Sequence, residues 1–199
     1  MKAKDTKIST KQITSIGIFG AISGLIMLLE IPLPFAPAFY KLDLSEVPTL
    51  IITFAYGPLA GTLTELLKVL VKLVTKGTST AFVGEIANFI VGCFFLIPSG
   101  IIYMRHKTKK QALMACIAGT ISLTVLGSLL NAVYLLPAFS RLYGIPMDAI
   151  VEMGRVINPA ITDVTKLVFF CTVPFNLLKG IVDSLITMLI YKRISPIIH

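Results

Sequence analysis

Charge is what this sequence has least of. Only 14% of its 199 residues are Asp, Glu, Lys or Arg, against 55% hydrophobic, and the mean hydropathy is +0.87. A soluble domain carries about 25% charged and about 45–50% apolar residues, so this chain has too little polar surface to cover a globule in water. Histidine and cysteine are also scarce, with two and three residues. Both histidines, His106 and His199, fall in basic segments, so no two-histidine constellation forms, and no HExxH or GxSxG occurs. Cys93, Cys116 and Cys171 lie in or beside apolar runs with no short spacing between any pair. That excludes a zinc pattern or a disulfide framework and leaves them as small packing residues. The fragment TKGTST (75–80) has the residue types of a phosphate loop but lacks the glycine five positions before a GK[ST]. The chain therefore carries no motif for ATP hydrolysis. Anything it moves uphill draws energy from an ion gradient or from another protein.

What the sequence does have is long apolar runs, without an evident repeat or low-complexity stretch. They predict an all-α integral membrane protein, one membrane domain over residues 1–199. The net charge of +8 would suggest nucleic acid in a soluble protein, but its placement points elsewhere. Lys2, Lys4, Lys7 and Lys11 precede the first run; Arg105, Lys107, Lys109 and Lys110 fill RHKTKK; Lys192 and Arg193 follow the last. Such clusters mark cytoplasmic ends and loops, with some attraction to anionic lipid, and no aromatic residues interleave with them as nucleic acid would require. The first run, from Ile13 to about Leu33, exceeds the roughly 7–15 residues of a cleaved signal, and the A-x-A triplet at Ala36 to Ala38 sits far downstream. A retained first helix is expected.

Helices are predicted over 13–29, 48–56, 58–74, 81–103, 111–136 and 166–191, with a short one near 147–156 and a kink at Pro174. Six crossings place both termini in the cytoplasm: a basic N-terminus 1–12, a basic loop 104–110, and an outer loop at about 32–47. FYKLDLSEVP (39–48), TKGTST and the stretch after Pro137 then face outward together.

Polar residues are costly in hydrocarbon and carry the functional case. Asn131, Asn176 and Lys179 lie deep in apolar runs, and Asn176 and Lys179 are three apart on one helix face. An amide offers donor and acceptor and a lysine adds donors, a set suited to a neutral heterocycle rather than a hard metal ion. A transmembrane asparagine also serves as interhelical glue, and both readings stand. Glu65 and Lys68 read as a structural i, i+3 pair, Lys72 and Lys76 as snorkelling to the interface, and Asp183 as paired with a neighbour. In helix 1, Gly17, Gly20, Ala21 and Gly24 form one small-residue stripe, fit for internal packing or for docking a second membrane protein.

The order PLPFAPAFYKLDLSEVPTLI, FAYGPLAGTLTELLK, GEIANFIVG, LLNAVYLLP and VPFNLLKGIV resembles the riboflavin-specific S components (RibU type) of energy-coupling factor (ECF) transporters over nearly the whole chain. The resemblance implies a six-helix bundle in a bacterial cell membrane that binds one vitamin from outside. It implies partners too: a transmembrane coupling protein and two ATP-binding subunits, with the whole component toppling during transport. Carried over on the matching motifs, Asn131, Asn176 and Lys179 would hydrogen-bond the polar edge of the flavin ring, with Asn88 in ANF a further candidate. The loop containing Tyr40, Leu42, Asp43 and Leu44 would cover the ligand. Gly17 and Ala21, with Gly20 and Gly24, would meet the coupling protein, although family members often have alanine or serine where this chain has glycine. Riboflavin is then cargo rather than cofactor. Lys41, Arg141 and Lys166 in the outer segment leave weak binding of the mononucleotide (FMN) open. An S component for another vitamin, a polytopic membrane enzyme and an ion-gradient carrier are the alternatives; the last two lack a carboxylate cluster or nucleophile–base pair, and inverted repeats.

Overall fold

A computed structural model describes residues 9–37 and 39–198; Lys2, Lys4, Lys7, Ala38 and His199 lie outside them. Helix α1, Thr10–Ile26, opens with a capping box in which Ser9 Oγ accepts from the Gln12 N–H and Gln12 Oε1 accepts from the Ser9 N–H. It stops earlier than the apolar run suggested. The following segment holds Pro32, Pro34 and Pro37, which cannot extend a helix. There the chain forms a small antiparallel bridge, β1 Ile31–Pro32 with β2 Lys41–Leu42, in which Ile31 faces Leu42 and Pro32 faces Lys41.

Helix α2, Glu46–Tyr56, is buried from Glu46 to Ala55. It is apolar nearly all round because α1, α3, α4 and the last helix all pack on it. Gly57, at φ +96°, reverses the chain in a conformation that favours glycine, and Pro58 starts α3, Pro58–Lys76. Next come α4, Val83–Arg105, and α5, Lys109–Leu130. Lys107 Nζ donates to the Ala55 carbonyl at 3.3 Å, which caps the exit of α2 from the loop beside it.

Two long columns are interrupted by π turns. Residues Asn131–Leu135 form one, leading into α6, Leu136–Tyr143. After α7, Met147–Arg155, and α8, Val164–Leu167, the second π turn, Val168–Thr172, leads into α9, Val173–Ile198. In both, a proline (Pro137 or Pro174) is the second residue of the helix that follows. Proline lacks an N–H and crowds the carbonyl four residues back, and a wider turn ahead of it moves that backbone away from the ring. The expected helix 111–136 thus continues to Tyr143, and the distortion expected at Pro174 sits just before it.

Among the described residues, three columns are long and apolar enough to cross a membrane: Val83–Arg105, Lys109–Tyr143 and Val164–Arg193. Outward side chains such as Leu25 (α1), Leu129 (α5) and Leu189 (α9) are exposed, as a lipid-facing surface requires. Inside, Phe54, Phe95, Leu96 and Leu123 form a core on which Tyr103 stacks, its ring 4.3 Å from that of Phe54.

The small-residue stripe of α1 divides. A Cβ at Gly20 would lie 2.7 Å from Leu67 Cδ2, and one at Gly24 2.6 Å from Val71 Cβ, whereas nothing lies within 4 Å of one at Gly17. Gly20 and Gly24 therefore admit α3, while Gly17 is open. Gly24→Leu should destabilise the protein by about 1–3 kcal/mol through overpacking, seen as a lower midpoint of thermal unfolding in detergent. Gly17→Leu should leave that midpoint unchanged, and equal losses at both positions would contradict the division.

Candidate functional site

A cavity of about 600 Å³ opens between the 39–43 segment and the facing ends of α3, α4, α5, α6 and α9. Its size falls within the roughly 300–1,000 Å³ typical of small-molecule sites. Tyr40, Asp43, Asn88, Asn131, Asn176 and Lys179 all line it, with Val91, Leu135 and Phe175 among its apolar walls. Residues 139 positions apart in the chain thereby share one surface. Leu42 and Leu44 do not line it. Leu42 pairs with Ile31 across the β bridge, and Leu44 packs on Val47, Ile51 and Ile52 of α2. Of the 40–44 segment expected to cover a ligand, Tyr40, Lys41 and Asp43 line the cavity, as does Phe39.

Both asparagines bind across elements. The Tyr40 hydroxyl donates to Asn131 Oδ1 at 2.9 Å and lies 2.6 Å from Thr172 Oγ1, joining the two π turns. Tyr40 is only 5% exposed, so it is a strut rather than a flexible cover. Asn176 Nδ2 donates to Ser128 Oγ at 3.1 Å. Each amide has a second polar end, so glue and ligand contact are compatible roles for the same side chain. Asn88 Oδ1 is buried with no partner, an acceptor awaiting a donor.

Lys179 Nζ lies 3.1 Å from Asp43 Oδ2, with both side chains under a tenth exposed. Asp43 Oδ1 accepts from the Ser45 N–H at 2.9 Å and from the Ser45 hydroxyl, which fixes the carboxylate before α2 begins. Behind this pair lie Glu46, Glu65 and Lys68. Asp183, expected to be paired, has both oxygens buried without a hydrogen-bond partner. Among the described residues no three His, Cys, Asp or Glu side chains converge as metal ligands.

At the mouth, Lys72 and Lys76 form ion pairs instead of snorkelling. Lys72 Nζ is 2.6 Å from Glu85 Oε1, whose other oxygen accepts from Thr78 and Thr80. Glu30 Oε2 holds Lys41 at 2.9 Å and Lys76 at 3.0 Å, tying the loop to the end of α3. Tyr143 donates to the Ser79 carbonyl at 2.9 Å, so the segments after α3 and α5 meet across the opening. Sequence reasoning did not foresee these closures, nor Thr172 and Ser128. The one hint was a glutamate, Glu85, in the first turn of an apolar helix.

Outside the spans, the carboxyls of Glu30 and Asp163 are among those with lowered pKa values. Partial burial pushes Glu30 up, and the ammonium groups of Lys41 and Lys76 outweigh it, leaving the carboxyl below its usual range. The Lys166 N–H, which Asp163 caps at the start of α8, holds Asp163 low.

These features define a cavity of small-molecule size among helices that include three columns long and apolar enough to cross a membrane. The chain belongs to the family described as "ECF transporter, substrate-specific component", which it matches over residues 11–191. This is a transporter family, not an enzyme family. The chain is 33% identical over 186 residues to the riboflavin transporter RibU of Staphylococcus aureus (strain TCH60), covering 93% of this chain and 90% of that one. It is 30% identical over 192 residues to the riboflavin transporter FmnP of Bacillus subtilis (strain 168), covering 95% and 94%. A solved structure reported under "Structure and mechanism of the S component of a bacterial ECF transporter" superposes with a TM-score of 0.72 at 33% identity, covering 94% of this chain and 96% of that one.

Tyr40→Phe strands Asn131 Oδ1 and Thr172 Oγ1 and should destabilise the ligand-free protein by about 1–3 kcal/mol, read as a lower unfolding midpoint; an unchanged midpoint would remove the strut role. For Glu30 the folded-state pKa lies below the unfolded value of about 4.3, so its clasp stabilises above that pH and is lost as pH falls through the folded-state pKa. The small midpoint difference between wild type and Glu30→Gln at pH 7 should close on acidification. A gap that widens would reverse the sign.

Proposed function

We propose that the chain is the riboflavin-binding S component of an ECF-type vitamin importer. The observation that supports this most is the convergence of Asn88, Asn131, Asn176 and Lys179 on one cavity with apolar walls. A planar tricyclic ring fills such walls, and the amides and ammonium take the polar edge of the ring. Asp43, fixed by Ser45, is placed for ribityl hydroxyls. The relatives named as riboflavin transporters support the same substrate. Riboflavin is the transported ligand. FMN is a poorer one, because Lys41 and Lys72 already pair with Glu30 and Glu85, and neither Arg141 nor Lys166 lines the cavity.

In this reading the membrane is the bacterial cell membrane, crossed by α1, α2, α3, α4, the α5–α6 column and the α8–α9 column as one domain. Both termini and the basic loop 104–110 face the cytoplasm, and the cavity opens outward. Energy comes from a transmembrane coupling protein with two ATP-binding subunits. The coupling protein docks on α1 at Gly17 and Ala21; nothing packs at Gly17, whereas Gly20 and Gly24 are already occupied by α3.

The purified protein should carry flavin absorption bands or quench riboflavin fluorescence on titration; a colourless preparation without quenching would sink the assignment. Asn131→Ala and Lys179→Ala should each weaken binding about tenfold or more, the loss of one to two hydrogen bonds to a buried ligand. Ala21→Trp should leave riboflavin affinity intact and block uptake in the presence of the partner complex. Unimpaired uptake would remove α1 as the docking face.

A further inference from the structure

Behind the cavity wall lies a set of buried charges, most of which do not line the cavity. Lys68 of α3 is fully buried, its Nζ 2.7 Å from Glu46 Oε1 and 2.5 Å from Glu65 Oε1. The same Glu46 oxygen is 3.9 Å from Lys179 Nζ, and Lys179 is 3.1 Å from Asp43. Only Lys179 and Asp43 of these five line the cavity. Asp183, one turn beyond Lys179 on α9, makes no hydrogen bond to it.

Stability alone gives little reason for this arrangement, since apolar residues of similar volume often replace a buried ion pair without loss. What apolar side chains cannot do is aim an ammonium. Lysine is a point charge on a flexible four-carbon stem, and one anion defines a direction for it poorly. Lys179 is held from two sides, by Asp43 in the loop and by Glu46 at the start of α2. Glu46 is itself placed by Lys68 on Oε1 and by the Thr49 hydroxyl on Oε2 at 3.3 Å.

We propose that Glu46 and Lys68 are positioning residues for ligand binding, which set the place of the Lys179 ammonium in the cavity, with Lys68 acting only through Glu46. The inference rests on the riboflavin reading above. It makes α3, which contributes Lys72 to the cavity rim, also a support for the polar end of the site. It further predicts an order of effects that a merely structural role would not produce. With Lys68 removed, Glu46 carries an uncompensated charge and draws Lys179 away from Asp43. With Glu46 neutral, Lys68 has nothing left to transmit.

The test is riboflavin affinity by fluorescence quenching, with the visible absorption band of the bound flavin, in wild type, Glu46→Gln, Lys68→Met and the double variant. Glu46→Gln should weaken binding several-fold and shift the flavin band. Lys68→Met should weaken it by about tenfold, a coupling of the size found between buried charges in one network. In the Glu46→Gln background, Lys68→Met should change affinity by less than about threefold, because its route is gone. Additive losses, or wild-type affinity and band position in Glu46→Gln, would overturn the proposal. If Lys68→Met alone does not fold, the comparison of Glu46→Gln with the double variant still decides, since removing both partners of a buried pair is better tolerated than removing one. Failure of the wild type to bind riboflavin would instead reject the substrate assignment.

Discussion

The buried ion pair between Lys179 and Asp43 is the constraint around which the molecule is arranged. An ammonium in the interior of a membrane protein needs a counter-charge and hydrogen-bond partners at close range. Meeting that need brings α9 to the segment before α2 and, through Glu46, to α3. Ser45 then fixes Asp43, and the Ser23 hydroxyl of α1 caps the Ser45 carbonyl. Four parts of the chain are tied at one level of the bundle, and the cavity is the space left above that level.

The upper part of the cavity depends on a second device. The π turns at 131–135 and 168–172 precede Pro137 and Pro174, so the departures from α-helix are consequences of where proline falls. They also bring Asn131 and Thr172 to the same tyrosine hydroxyl. Tyr40 closes this bridge from a loop held at its base by a two-residue β pair and at its edge by Glu30. At the rim the pairs of Glu30 with Lys41 and Lys76 are exposed or half-exposed, while the Tyr40 bridge and the charges of the floor are buried. The exposed contacts are individually weak and screened by salt, so the rim is the part of the site best able to part for a ligand.

The chain belongs to the substrate-specific components of ECF transporters. In that family the substrate-specific component is distinct from the energising module, and such a component needs a face for its partners besides a cavity. The outer surface of α1 is apolar and its small residues divide, with Gly20 and Gly24 serving the internal approach of α3. Close approach of α3 and an open small-residue patch come from the same seventeen-residue helix because Gly20 and Gly24 meet α3 while nothing packs at Gly17.

Much of this was legible before folding. Apolar runs and the placement of lysine and arginine indicated a helical membrane protein, because hydrocarbon tolerates neither charge nor unpaired backbone. Polar residues within those runs marked Asn131, Asn176 and Lys179, since a group that is costly to bury is kept for a reason. Leu42 and Leu44 do not line the cavity, and apolar side chains next to a site carry no sign in the sequence of which way they turn. Tyr40 was taken for cover because one residue cannot reveal that two π turns will meet at its hydroxyl. The sequence by itself thus determined the solvent this protein lives in, its helices and the identity of its costly polar groups. Only the tertiary structure decided which of them face each other: Asp43 with Lys179, Glu30 with Lys41 and Lys76, Lys72 with Glu85. Pairing over such separations is a matter of three-dimensional distance, to which neither periodicity nor composition is sensitive.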